Sequence, residues 1–400
     1  MVRMGKQTLE DAVIVSAVRV PVGKFGGAYR ETSAVELGKA VVKGAIEKAS
    51  LSPSDVDEVI LGNVLPAGLG QSPARQCALG AGVPVASGAF SLNKVCGSGL
   101  KALMLAANSI RAGEHEIIVA GGIENMSMAP YLSASTRWGS KYGDLLLMDS
   151  MIHDGLWDAY NDFHMMITGE IVAERHNVTR EEADMFAYQS HMKAAMATEE
   201  GFFREEILPF HVLRAGEKVA MTKDEGIRPD STIKKLSSLE AKFKKGGICT
   251  AGNSSQLSDG ASALAVMSSA RAQKIGIEPL ARIVDYVTGG TRPEWVMESP
   301  IETTRKLLKR NNMSIDDIDL FEHNEAYATA SVAVRKALGV DEKRFNITGG
   351  AVAMGHPLGA SGAKITTTLL HNMKRLKKDR GISTLCLGGG NAVSMLFERC

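Results

Sequence analysis

The chain has 400 residues, 44% hydrophobic and 23% charged, with 46 Lys and Arg against 45 Asp and Glu. A formal net charge of +1 leaves no bulk electrostatic case for nucleic acid or a membrane surface as partner. The length predicts two or three packed units around a large core, no apolar run is long enough to cross a membrane, and the stretch Met1 to Asp11 carries no apolar signal core.

In chain order, Val13 to Ala17 reads as a buried strand and Val35 to Ala49 as an amphipathic helix. Val56 to Leu61 reads as a strand ending at Gly62-Asn63. Leu100 to Ala112 reads as a helix, and Glu116 to Ala120 as a strand ending at Gly121-Gly122. Strands alternating with helices predict an α/β layered fold. From Ser127 to Leu257 the character changes: Met and charge increase, a helix spans Arg180 to Glu199, and lysines gather at 234, 235, 242, 244 and 245. This stretch reads as an insertion on the first unit. Its basic run is either a solvated charged face or a holder for a phosphorylated carrier.

The C-terminal part repeats the order. Asp55 to Asn63 is echoed by Asp316 to Asn324, Ser98-Gly99-Leu100-Lys101 by Ser361-Gly362-Ala363-Lys364, and Ile118 to Gly122 by Leu385 to Gly389, at nearly constant offset. Three matches in order predict a duplicated α/β unit, against the plainer reading of generic strand-to-glycine turns.

Five cysteines stand at 77, 96, 249, 386 and 400, an odd number without a CxxC pair, which argues against a disulfide framework or a zinc site. The C-terminal Phe397-Glu398-Arg399-Cys400 is not a peroxisomal signal, and a reducing, cytoplasmic compartment is expected. Two of the thiols lie in glycine-rich settings. Cys96 precedes Gly97-Ser98-Gly99 and a helix, where free N–H groups and the helix dipole predict a thiolate nucleophile rather than a packed core thiol. Cys386 ends the strand Ile382 to Leu387 just before Gly388-Gly389-Gly390, whose N–H groups suit an oxyanion, and a thiolate there is a usable base for an acidic C–H. His356, between Gly355 and Pro357 in a loop without apolar periodicity, can take a thiol proton. Asn324, at the end of the strand Ile318 to Phe321, either serves the turn or orients a carbonyl oxygen.

Taken together, Arg19 to Gly27, Cys96-Gly97-Ser98-Gly99, Asn324-Glu325-Ala326-Tyr327, Gly355 to Gly362 and Cys386 to Gly390 resemble the thiolase family across nearly the whole chain. The resemblance implies two similar βαβαβ core domains in a five-layered α/β arrangement, with residues 1–126 plus 258–278 as the first core, 127–257 as an inserted loop domain and 279–400 as the second core. It implies acyl transfer between coenzyme A thioesters, either Claisen condensation of two acetyl-CoA or thiolysis of a 3-ketoacyl-CoA, with Cys96 acylated. His356 would accept the Cys96 proton and, with Asn324 acting through a water, bind the second thioester oxygen. Cys386 would move the α-carbon proton, and the N–H groups of Cys96 and Gly388 would form a second oxyanion hole. Coenzyme A contacts are expected at Leu156, His164, Met165, Arg228, Phe243, Ala251, Ser255 and Ala326. Coenzyme A and acyl-CoA are the partners, as substrates; no metal or redox cofactor is expected.

Some positions depart from the family pattern. Met166 and Ile167 follow His164-Met165 where many members carry smaller residues, His323 stands where several have Ala, and Tyr327 replaces a common Phe; these bear on acyl chain length. The stretch Tyr131 to Met151, with Trp138, resembles the loop that joins dimers into homotetramers, against the reading of an ordinary surface loop. Two other activities remain to be weighed. A ketoacyl-synthase-like condensing enzyme would use one cysteine with two histidines, or with His and Asn, which leaves Cys386 unexplained. A non-catalytic acyl-CoA-binding subunit would have lost one of the four reactive residues.

Overall fold

The computed structural model describes residues 10–214 and 216–400, so residues 1–9 of the N-terminal stretch lie outside the described residues. The first half is built from β1 (Ala12–Arg19), α1 (Ala34–Lys48), β2 (Glu58–Gly62), β3 (Gly88–Leu92), α2 (Ser98–Arg111) and β4 (Ile117–Asn125). The chain then leaves the sheet, forming α3 (Met166–Arg175) and α4 (Arg180–Glu199), and returns as β5 (Ser258–Ser268) between β1 and β4. The second half comprises β6 (Ala281–Gly290), α5 (Ser299–Arg310), β7 (Leu320–His323), α6 (Ala328–Leu338), α7 (Ser361–Leu376), β8 (Arg380–Leu387) and β9 (Asn391–Arg399).

The duplication is visible in the strand order. In the first half β1, β5 and β4 pair antiparallel, then β2 and β3 add in parallel. In the second half β6, β9 and β8 pair antiparallel, β7 adds in parallel, and Phe345 bridges Phe321 of β7 in parallel. The halves join edge to edge where Val13 and Ile14 of β1 meet Arg282 and Ala281 of β6. Helix α1 covers the outer face of the first sheet and α5 that of the second, while α2 and α7 pack together between the sheets. The result is five layers. Helix α1 begins with a capping box, the Ser33 hydroxyl on the Glu36 N–H and the Glu36 carboxylate on the Ser33 N–H, and buries Val35, Leu37, Val41, Val42 and Ile46 against the sheet.

Strand β4 does not end at Gly121-Gly122 but runs on to Asn125. These glycines serve close approach rather than a turn. A Cβ on Gly121 would lie 2.1 Å from the Ser262 carbonyl oxygen, and one on Gly122 would lie 2.0 Å from that of Gly359. The two central helices cross the same way: a Cβ on Gly362 would lie 2.3 Å from the Leu100 backbone nitrogen, and one on Gly99 would lie 2.7 Å from that of Ala363.

The stretch between β4 and β5 is tied down by a buried arginine. Arg19, ending β1, donates from Nε to Glu206 at 2.7 Å and from Nη1 and Nη2 to Asp224 at 2.7 and 3.0 Å. Asp224 also accepts the Val22 N–H. Removing one partner of such a buried pair strands a charge, at a typical cost of about 3–5 kcal/mol.

Gly362→Ala tests the close crossing of α2 and α7. Overpacking there is expected to cost about 1–3 kcal/mol, seen as an earlier thermal unfolding transition. An unchanged transition would mean the helices can separate freely.

Candidate active site

Cys96 sits in a tight turn at the head of α2. Val95 adopts φ 47°, the left-handed region that a β-branched residue rarely enters, and Ser98 Oγ clamps the turn by donating to the Val95 carbonyl at 2.6 Å and accepting the Lys94 N–H at 2.8 Å. This strained bend lifts Cys96 toward the second half. A Cβ on Gly97 would lie 2.4 Å from Leu387 Cδ2, and one on Gly388 would lie 3.4 Å from Val95 Cγ1.

The facing loop is the hairpin between β8 and β9. Gly389 and Gly390 take φ 82° and 79°, a turn that only glycine enters without strain, and this leaves the Gly388 N–H aimed at Cys96. The backbone N–H groups of Cys96 and Gly388 both reach the Cys96 Sγ. Cys386, buried on β8, has its Sγ 3.5 Å from the Met297 sulfur. Burial pushes the Cys386 thiol up, and the neighbouring Cys96 pushes it further.

The third and fourth groups meet directly. Asn324 Nδ2 lies 3.3 Å from His356 Nε2, and His356 Nδ1 lies 2.5 Å from Ser361 Oγ. Ser361 Oγ donates to the Pro357 carbonyl at 2.9 Å, so it accepts from Nδ1–H, and this hydrogen-bond logic assigns Nε2 as the basic nitrogen. Lys364 Nζ holds the Gly355 carbonyl at 3.0 Å. Asn324 Oδ1 is buried with no hydrogen-bond partner among the described residues.

The electrostatics depart from the thiolate expected at the helix start. Burial pushes the Cys96 thiol up to about 12; the N–H groups of Cys96 and Gly388 pull against it, and the carboxylate of Glu124 adds to it. Burial, aided by the Lys364 charge, pushes His356 down to about 3. Desolvation thus outweighs the N–H groups at Cys96 and is unopposed at His356, so thiol and imidazole are both neutral at pH 7.

The loop-domain residues divide. His164 stacks on Phe243 with ring centroids 4.1 Å apart, and the Met165 N–H donates to the Leu156 carbonyl at 2.8 Å. Met165 and Ala326 pack in one cluster with Cys386, Tyr327 and Met297, and Leu156 packs with Cys96 around Leu65 and Leu358. The Ser255 N–H donates to the Ala326 carbonyl at 2.9 Å, which sets the exposed Ala251 and the rest of its turn beside the Asn324 loop. Arg228 is exposed, its backbone N–H donating to His191 Nδ1 at 3.1 Å and its carbonyl accepting the Ser231 N–H at 3.2 Å, and no hydrogen bond among the described residues joins it to the others. Of the departing positions, Met166 packs on the Cys386 cluster. His323 lies inside the second half, stacked on Phe345 with its Nδ1 3.0 Å from Ser331 Oγ.

Glu124 went unread in the sequence. It is fully buried at the end of β4 and accepts from Asn63 Nδ2 at 2.8 Å and from the N–H groups of Val64, Leu65 and Gly359 at 3.0, 3.1 and 2.8 Å. Burial pushes its carboxyl up to about 7 against those four donors. It fastens the loop after β2 to the His356 loop. The available signal was a lone carboxylate two residues beyond Gly121-Gly122 in a buried strand.

Residues 12–270 match the thiolase N-terminal domain and residues 277–399 the thiolase C-terminal domain. The chain is 49% identical over 392 residues to an acetyl-CoA acetyltransferase of Pseudomonas aeruginosa, covering 98% of this chain and 100% of that one. It is 47% identical to an acetyl-CoA acetyltransferase of Escherichia coli, with the same coverage. The crystal structure of the Bacillus anthracis acetyl-CoA acetyltransferase superposes with a TM-score of 0.97 at 38% identity, covering 99% of this chain and 100% of that one.

The raised Cys96 thiol predicts that its alkylation by iodoacetamide, followed by peptide mass spectrometry, accelerates about tenfold per pH unit from pH 7 to 10. A plateau below pH 8 would show a preformed thiolate instead.

Proposed function

The chain belongs to the thiolase family and is an acyl-CoA C-acyltransferase, and we propose that it runs through an acyl-Cys96 intermediate with the roles that follow. The observation that carries the reading is the Asn324–His356 pair, 3.3 Å apart at the head of one central helix, with Cys96 heading the other and Cys386 and the Gly388 N–H close to its sulfur. Because thiol and imidazole both start neutral, His356 Nε2 takes the Cys96 proton as Sγ attacks the thioester rather than beforehand. The carbonyl oxygen turns negative at the N–H groups of Cys96 and Gly388; losing one such donor typically costs about 3 kcal/mol. Coenzyme A leaves as a thiol by taking the Cys386 proton, which makes Cys386 a thiolate, while His356 keeps the proton from Cys96.

In the second half-reaction the Cys386 thiolate removes the α-proton of acetyl-CoA, the enolate oxygen is held by the Nε2–H of the protonated His356 and, through a water, by Asn324, and the carbanion attacks the acyl group on Cys96, whose sulfur leaves and takes back the proton from His356. Thiolysis is the reverse course. Two thiols, one imidazole and fixed N–H donors account for every proton and oxyanion, so the scheme calls for no metal or redox cofactor. The stacked His164 and Phe243, with Met165, Leu156, Ser255, Ala251 and Ala326, would hold the coenzyme A chain; Arg228 would meet its phosphates from the exposed rim. Both thiols must stay reduced, which fits a cytoplasmic setting, and no described helix is long and apolar enough to cross a membrane. Trp138, Tyr142 and Leu146, exposed by 86%, 100% and 83%, support a homotetramer in which this loop is covered.

Cys96→Ala should take up no acyl group from labelled acetyl-CoA; label retained on that variant would sink the nucleophile assignment. Cys386→Ala should still acylate Cys96 yet lose condensation, and normal condensation would contradict the base assignment. Thiolysis of 3-ketoacyl-CoA from four to sixteen carbons tests the pocket: Met166, packed on the cluster that holds Cys386, favours short chains, and turnover of the longest would show that it does not close the pocket. Light scattering should give a tetramer that falls to dimers when Trp138 and Leu146 are changed to Ser; a tetramer in that variant would remove the loop from the interface.

A further inference from the structure

Glu325 follows Asn324 in the chain, is fully buried, and has no part in the reaction derived above. Its Oε1 accepts from Asn346 Nδ2 at 2.8 Å. Its Oε2 accepts from Ser190 Oγ at 2.7 Å and from the Val352 N–H at 3.0 Å. Ser190 Oγ in turn accepts the Gly350 N–H at 3.0 Å. Gly350 and Val352 belong to the short segment that ends at His356, and a Cβ on Gly350 would lie 2.3 Å from Glu325 Cδ. On the other side, Asn346 brackets His323, the residue before Asn324: its Oδ1 accepts the His323 N–H at 2.8 Å and its Nδ2 donates to the His323 carbonyl at 2.9 Å. One carboxylate therefore ties the Asn324 loop to the approach of the His356 loop.

We propose that Glu325 is a positioning residue that sets the spacing of the Asn324 amide and the His356 imidazole, the pair 3.3 Å apart. All its partners are donors, so the site calls for a group that only accepts. A glutamine of the same shape turns an NH2 toward one of those donors and loosens a loop on one side of the pair. This inference rests on the reading that Asn324 and His356 hold an oxygen of the reacting thioester.

The test is a kinetic cycle with 3-ketoacyl-CoA and coenzyme A. Glu325→Gln, folded by circular dichroism, should lower kcat by about tenfold to a hundredfold with KM unchanged within about twofold. In an Asn324→Ala background the same change should cost at most about threefold, because the pair it positions is already broken. Equal losses in both backgrounds, or an unchanged kcat, would overturn the proposal and leave Glu325 a structural residue. Ser190→Ala, which keeps the carboxylate, gives a second cycle if Glu325→Gln does not fold; its kcat should fall in the wild-type background and hardly change beside Asn324→Ala, and a kcat at the wild-type level would equally overturn the proposal. A wild-type protein without thiolysis or condensation would overturn the functional reading and this inference with it, whereas an active wild type with an unaffected Glu325→Gln overturns this inference alone.

Discussion

The two halves of this chain meet backbone to backbone, and the site exists because they do. Gly99 and Gly362 let α2 and α7 cross where any Cβ would strike the partner helix, and Gly122 gives way to the Gly359 carbonyl. Each central helix is entered by a reactive loop, Cys96 on one and His356 on the other. A duplicated unit packed face to face puts both loops at the same end. The third loop, between β8 and β9, comes to that end because β8 stands in the second sheet where β4 stands in the first. Any wider spacing of the helices would separate the Gly388 N–H from the Cys96 sulfur.

That closeness also sets the electrostatics. Burial raises thiols and lowers imidazoles, and Cys96, Cys386 and His356 all move in that direction. The cost is a nucleophile that is not ionised at rest. The gain is that fixed N–H dipoles act in a low dielectric, where they stabilise a developing oxyanion far better than water-exposed donors do.

Much of this was legible in the sequence because it is carried by local signals. The four reactive residues stand in glycine-rich loops, the helix Arg180–Glu199 is bounded by its own capping box, and the repeat lies in three short echoes. What escaped was whatever depends on the other half of the chain. Helix α7 reads as polar, with Thr366, Thr367, Thr368, His371 and Asn372, yet it is buried from Ser361 to Met373. Its polar groups find partners no local pattern announces: Ser383, Ser262, Glu206, the Ala17 carbonyl and Thr348. Likewise Gly121-Gly122 looks like a strand end until Ser262 and Gly359 arrive against it. The ionised state of Cys96 was misjudged for the same reason, since the helix dipole is local and desolvation is not.

The buried charges around the site follow one logic. Arg19 holds Glu206 and Asp224 of the stretch between β4 and β5, Glu124 holds the loop after β2 to Gly359, and Lys364 holds the Gly355 carbonyl. Arg19 and Glu124 join segments distant in sequence, Lys364 closes a loop nine residues long, and each ends on backbone groups or on a carboxylate that no helix or strand ladder satisfies. Apolar packing could hold the segments together, but it is non-directional and tolerates small shifts. Loops that must present an N–H or an imidazole to within a few tenths of an ångström need directional contacts, and a buried charge supplies them because every misplaced donor or acceptor around it is costly. Paired apolar residues would often be as stable. The charges are better understood as fixing loop position, which catalysis by preformed dipoles requires and stability alone does not.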